Sequence, residues 1–149
     1  MILRWLMAAA HLLALGIGLG AVVVRARALR APMDLSRLPS AFLADSLWGL
    51  AALIWISTGL LRVFSGLEKG SAYYLGSEAF WIKMSLLGLI LLLEVWPAAA
   101  LMRWRIAHRR GATVDLAAAP ALSRISVLQA LLIVGMVLAA TAMARGIGS

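Results

Sequence analysis

The stretch FWIKMSLLGLILLLEVWP, residues Phe80–Pro97, is apolar enough to lie in a bilayer, yet it carries Lys83 and Glu94 and ends on a proline. On a helix the eleven-residue step between the two charges is about three turns, so they share nearly one face and stand roughly 16 Å apart along the axis. They are too far apart to pair with each other. Each needs a partner on another helix, in water or on a bound group, because an unpaired carboxylate inside a membrane helix costs roughly 2.5–3.5 kcal/mol.

Working outward, the rest of the chain is of the same kind. Hydrophobic residues make up 64% and charged residues 13% of the 149 positions, more apolar side chain than a soluble domain of this length can bury. Apolar runs of about 20 residues, enough to cross roughly 30 Å of hydrocarbon, occur at 3–24, 41–64, 79–102 and 121–144. The chain lacks the alternating segments of a barrel, and every backbone polar group in lipid needs an internal partner. The prediction is therefore an all-α, four-transmembrane-helix bundle forming a single integral membrane domain over 1–149.

The net charge of +8 would point to nucleic acid in a soluble protein, so its distribution matters. Arg25, Arg27, Arg30 and Arg37 fall between the first two spans, and Arg103, Arg105, Arg109, Arg110 and Arg124 border the third connection. Basic connections stay on the cytoplasmic side, which predicts a bacterial inner membrane with both termini outward. Membrane lipids then account for the charge, and no nucleic-acid partner is expected. The first span is longer than a signal-peptide core and its main basic cluster follows it rather than precedes it, so it reads as uncleaved. The absence of cysteine excludes disulfides and thiolate metal sites.

Local signals suit helices. Pro39-Ser40 can start and cap the second, Ser77-Glu78 the third, and Pro120 fits the first turn of the fourth. Pro97 removes a backbone bond to the Leu93 carbonyl and is expected to bend the helix beside Glu94. Tyr73 and Tyr74, in the connection after the second span, read as interface anchors.

Arg4, His11, Gly18 and Arg25 recur every seven residues, which keeps them on one slowly drifting stripe of the first helix. That stripe must face protein. Gly16 and Gly20 beside it form the small-residue spacing of packed membrane helices. In the second span Asp45, Ala52 and Gly59 make one seven-spaced row, and Trp48, Trp55 and Arg62 make a neighbouring one. Sorted by depth, His11, Arg62 and Lys83 form an outer polar layer. Asp45 and Glu94 form an inner layer with Arg25, Arg103 and Arg124 as candidate ion-pair partners. Two readings of the inner layer stay open, a structural network that locks helix register and a path for protons. Two also stay open for the outer layer. Arg62 and Lys83 can snorkel to the surface, or the layer can bind a cofactor, with His11 and Lys83 as metal ligands and Arg62 beside anionic groups. A porphyrin or a quinone is the candidate small-molecule partner, and a homo-oligomer is left open.

The runs DSLWGLAALIWISTGLLR (Asp45–Arg62), EKGSAYY (Glu68–Tyr74), FWIKM (Phe80–Met84) and LEVWP (Leu93–Pro97) resemble a family of uncharacterised bacterial predicted inner-membrane proteins of about this length. More distantly, a histidine in the first span and a lysine after tryptophan in the third resemble the small membrane-embedded protoporphyrinogen IX oxidases. That resemblance implies an oxidoreductase binding haem b at His11 and Lys83, with Arg25 as counterpart of a basic residue ending the first helix. The chain departs from that pattern after His11, where LGIGLGAVVVRAR replaces a tyrosine- and proline-bearing sequence. The other histidine, His108, is expected in the inner loop. Against the redox reading stands a non-enzymatic membrane subunit or a small proton-coupled transporter.

Overall fold

A computed structural model describes residues 2–65 and 75–145. Among these residues are four helices long and apolar enough to cross a membrane: α1 Ile2–Ala28, α2 Leu38–Phe64, α3 Glu78–Arg109 and α4 Ala119–Ala144. No strand occurs among the described residues. Glu68, Tyr73 and Tyr74 lie outside them.

The helix ends are set by local chemistry that differs in part from the sequence expectation. Asp34, not Ser40, supplies the cap before α2. Its carboxylate accepts the Ser36 N–H at 2.9 Å and opens a 3-10 turn at Leu35–Arg37 that runs into α2, with Pro39 in the first turn. Ser77 holds the N-cap position of α3, but its side chain makes no capping bond. α3 runs through Pro97 and past the apolar run to Arg109, so His108 sits in its last turn rather than in a loop. The stop is Gly111, whose φ of 67° suits glycine. There the Ala112 N–H returns to the Ala107 carbonyl at 3.0 Å, closing the helix end in the manner of a Schellman cap.

Leu12, Leu13, Leu53, Leu92 and Leu138 are each more than 60% exposed, on the lipid-facing surface. Lipid tails are as apolar as leucine, so hiding such side chains against one another yields little, and close packing and polar contacts must hold the helices together. α1 packs along the length of α2 and also against α4, while α4 packs on α3; of the neighbouring pairs, α2 and α3 meet least. The order around the bundle is therefore α2, α1, α4, α3, with the α2–α3 side the loosest.

The α1 stripe meets the α2 row in antiparallel register, one heptad forward on α1 matching one heptad back on α2. His11 lies against Gly59, Gly18 against Trp48 and Ala51, and Arg25 reaches Asp45. Close approach occurs at Gly18, where an added Cβ would stand 3.1 Å from the Trp48 ring. The expected Gly16 and Gly20 contact is not made. Both positions are exposed, and a Cβ there would meet nothing within 4 Å, because each lies about 200° round the helix from Gly18. Arg4, at the head of the stripe, is exposed.

Candidate functional site

At the arginine-rich half of the bundle, one guanidinium gathers all four helices. Arg25 is fully buried. Its Nε donates to Ser126 Oγ at 3.1 Å. One terminal nitrogen, Nη1, donates to Asp45 Oδ1 at 3.0 Å and Glu94 Oε1 at 2.7 Å, and the other, Nη2, to Glu94 Oε2 at 2.8 Å and Gln129 Oε1 at 2.7 Å. A guanidinium has five N–H groups, and here all five are used. The fork on Glu94 is the bidentate geometry that makes arginine–carboxylate pairs strong and directional.

The partners are themselves held. Gln129 accepts from Arg25 with its oxygen and donates with its nitrogen to Glu94 Oε2 at 2.8 Å and to the Ile90 carbonyl at 3.2 Å. The reversed amide would set donors against the guanidinium. Ser126 passes its proton to the Leu122 carbonyl at 3.0 Å. Asp45 also faces Arg105 at 3.6 Å. Arg105 is the latch between α3 and the start of α2, donating to the Phe42 carbonyl at 2.9 Å and to Ser46 Oγ at 3.1 Å while stacking over the Phe42 ring at 5.2 Å. Two cations and two carboxylates make the cluster neutral overall.

Arg103 and Arg124, expected here, are exposed and make no ion pair with Asp45 or Glu94. The reason is angular. Nine residues from Glu94, Arg103 points about 180° away, whereas Arg105, eleven residues on, returns to within about 20° of Glu94. That spacing is the one that joins Lys83 to Glu94, so Arg105 was readable from the same periodicity. Arg124 is about 160° from Ser126 on α4. Ser126 and Gln129 carry no charge, and neither stood out in an apolar span.

At the other half, the half that carries both termini, His11 is buried and clamped by α2. Trp55 Nε1 donates to His11 Nε2 at 3.0 Å, so Nε2 is the unprotonated nitrogen. His11 Nδ1 therefore carries the proton and donates to Thr58 Oγ1 at 2.9 Å, and Thr58 passes its own proton to the Ile54 carbonyl at 2.7 Å. Both ring nitrogens of His11 are engaged. Beside this clamp, where α2 and α3 diverge, lies a cavity of about 280 Å³ whose walls include His11, Trp55, Phe80, Trp81, Lys83 and Met136. His11 and Lys83 thus border one space. Arg62, expected beside it, does not: the α2 wall is made by Trp55, Ile56, Gly59, Leu60, Val63 and Phe64, and Trp48, in the same row as Trp55, fills the space over Gly18 instead.

Among the described residues there is no group of three or more histidine, cysteine, aspartate or glutamate side chains that could hold a metal ion. No curated protein and no solved structure matches the chain. A family model does, across residues 3–148, and the chain therefore belongs to the family described as Predicted membrane protein (DUF2214).

Proposed function

We propose that the chain is a binding protein embedded in a bacterial inner membrane, with both termini outward. Its terminal-half pocket takes a hydrophobic ring compound with an acceptor on its edge, of the quinone class. The observation that carries this reading is the shared wall of His11, Trp55, Trp81 and Lys83: aromatic faces for a ring, and an amine at its edge for a carbonyl oxygen. A cavity of about 280 Å³ is near the lower end of small-molecule sites, which suits a single ring. The Arg25 cluster is the frame behind it. A guanidinium with every N–H committed, and a Glu94 held on both oxygens, favour a register lock over a proton path.

The test is titration of the purified chain with a short-chain benzoquinone. Saturable quenching of tryptophan fluorescence is expected, and it should vanish in Trp55→Phe/Trp81→Phe, whose remaining tryptophans lie outside the pocket. Quenching that never saturates, or that survives the double substitution, refutes a site. The orientation is tested separately by a reporter enzyme fused to the C-terminus, which should be active only on the outer side.

Haem b is the second reading, favoured by His11 and Lys83 bordering one pocket from α1 and α3. As placed, the residues do not fit it, since ligation needs a nitrogen lone pair and that of His11 Nε2 accepts from Trp55. Trp55 would have to turn away, and no redox step is assigned to these residues. A Soret band in the purified protein, lost in His11→Ala and weakened in Lys83→Ala, would favour haem over quinone.

A further inference from the structure

A second concavity lies at the arginine-rich end, on the outside of the bundle between α1 and α4. It is a groove of about 650 Å³ lined by Arg27, Arg30 and Arg124 together with Val23, Val127 and Leu131. Its form follows from helical spacing. Val23 and Arg27 fall on one face of α1, with Arg30 in the turn just past its end, and Arg124, Val127 and Leu131 fall on one face of α4, by steps of three and four. On both helices the basic residues lie toward the helix end and the apolar ones toward the middle of the span. The floor is low because Ala26 and Ala130 are small, and because Ser123 turns its hydroxyl inward to the Ala26 carbonyl at 2.7 Å.

The charges in this groove are not used by the fold. The buried Arg25 and the latch Arg105 take Asp45 and Glu94 between them, whereas Arg27, Arg30 and Arg124 are exposed and form no ion pair with any carboxylate among the described residues. Three guanidiniums meeting over a groove need an anion. The apolar half of the same groove faces hydrocarbon and needs a chain. A free phosphate would satisfy only the first requirement and a neutral lipid only the second.

We propose that this α1–α4 groove is a specific site for one anionic glycerophospholipid. The phosphodiester sits among Arg27, Arg30 and Arg124, and one acyl chain lies along Val23, Val127 and Leu131. Guanidinium forks match phosphate oxygens in pairs, and basic pockets between membrane helices at the headgroup level select anionic headgroups. The site is separate from the terminal-half pocket, and its occupant would bridge the end of α1 to the start of α4.

The experiment uses the full chain in nanodiscs of phosphatidylcholine containing a minor fraction of phosphatidylglycerol, with lipid retention read by native mass spectrometry after release. The wild type should keep one phosphatidylglycerol in at least tenfold preference to phosphatidylcholine. Arg27→Gln/Arg124→Gln should weaken that retention roughly thirtyfold, the product of two basic contacts near the membrane surface. Arg103→Gln/Arg110→Gln removes the same charge from the same end outside the groove and should keep the wild-type preference. Equal retention of the two lipids by the wild type overturns the proposal, and this arm needs no variant to fold. An equal loss in both double variants would mean bulk surface charge alone. Complete displacement by inorganic phosphate would mean a phosphate site, not a lipid site.

Discussion

Replacing Arg25 with methionine keeps the length and apolar stem of the side chain and removes all five of its donors. The side chain is wholly buried, and its partners Glu94 and Asp45 are 18% and 19% exposed, so neither carboxylate has full recourse to water. Breaking such a pair by removing one member costs about 3–5 kcal/mol, because the other charge is left buried. Asp45 keeps Arg105 at 3.6 Å, so the stranded charge is chiefly that of Glu94. Removing that charge as well, in Arg25→Met/Glu94→Gln, should therefore return about 1–3 kcal/mol of the loss. The double-mutant cycle would be run by unfolding each purified variant in detergent against increasing dodecyl sulfate, followed by circular dichroism. Arg103→Met, on the opposite face of α3, is the control and should stay within about 0.5 kcal/mol of wild type. If the double variant is no more stable than Arg25→Met alone, Glu94 is not stranded and the account of the cluster is wrong.

Three further outcomes follow from the same contacts. Arg105→Ala should lower the unfolding free energy by about 1 kcal/mol, far less than Arg25→Met, because its side chain is partly solvated and half-exposed pairs contribute little. Gly18→Val should cost about 1–3 kcal/mol from overpacking against Trp48, while Gly16→Val, facing open space, should be tolerated; equal effects would contradict the α1–α2 register. His11→Ala should cost about 1–3 kcal/mol by leaving the Trp55 indole N–H without its acceptor, with the loss visible as a shift of tryptophan emission.

The number of helices and the buried face of α1 were legible in the sequence because both depend on local repetition. Twenty apolar residues span a bilayer whatever surrounds them, and His11, Gly18 and Arg25 share a face through helical geometry alone. Even Arg105 could have been read in place of Arg103, since the angle from Glu94 is intrahelical. The order of the helices was not legible, because nothing in a span states which neighbour it will meet. Packing set α1 between α2 and α4 and left α2 and α3 the least closely packed of the neighbouring pairs. That arrangement brought neutral Ser126 and Gln129 onto Arg25, which a search for charges passes over. It also turned Trp55 and Thr58 onto His11, engaging both nitrogens of a ring that the sequence offers as one of two iron ligands. Periodicity along one helix settles which side of it must be covered; the identity of the covering atoms is a property of two helices side by side, decided by shape and by the need of every buried donor for an acceptor.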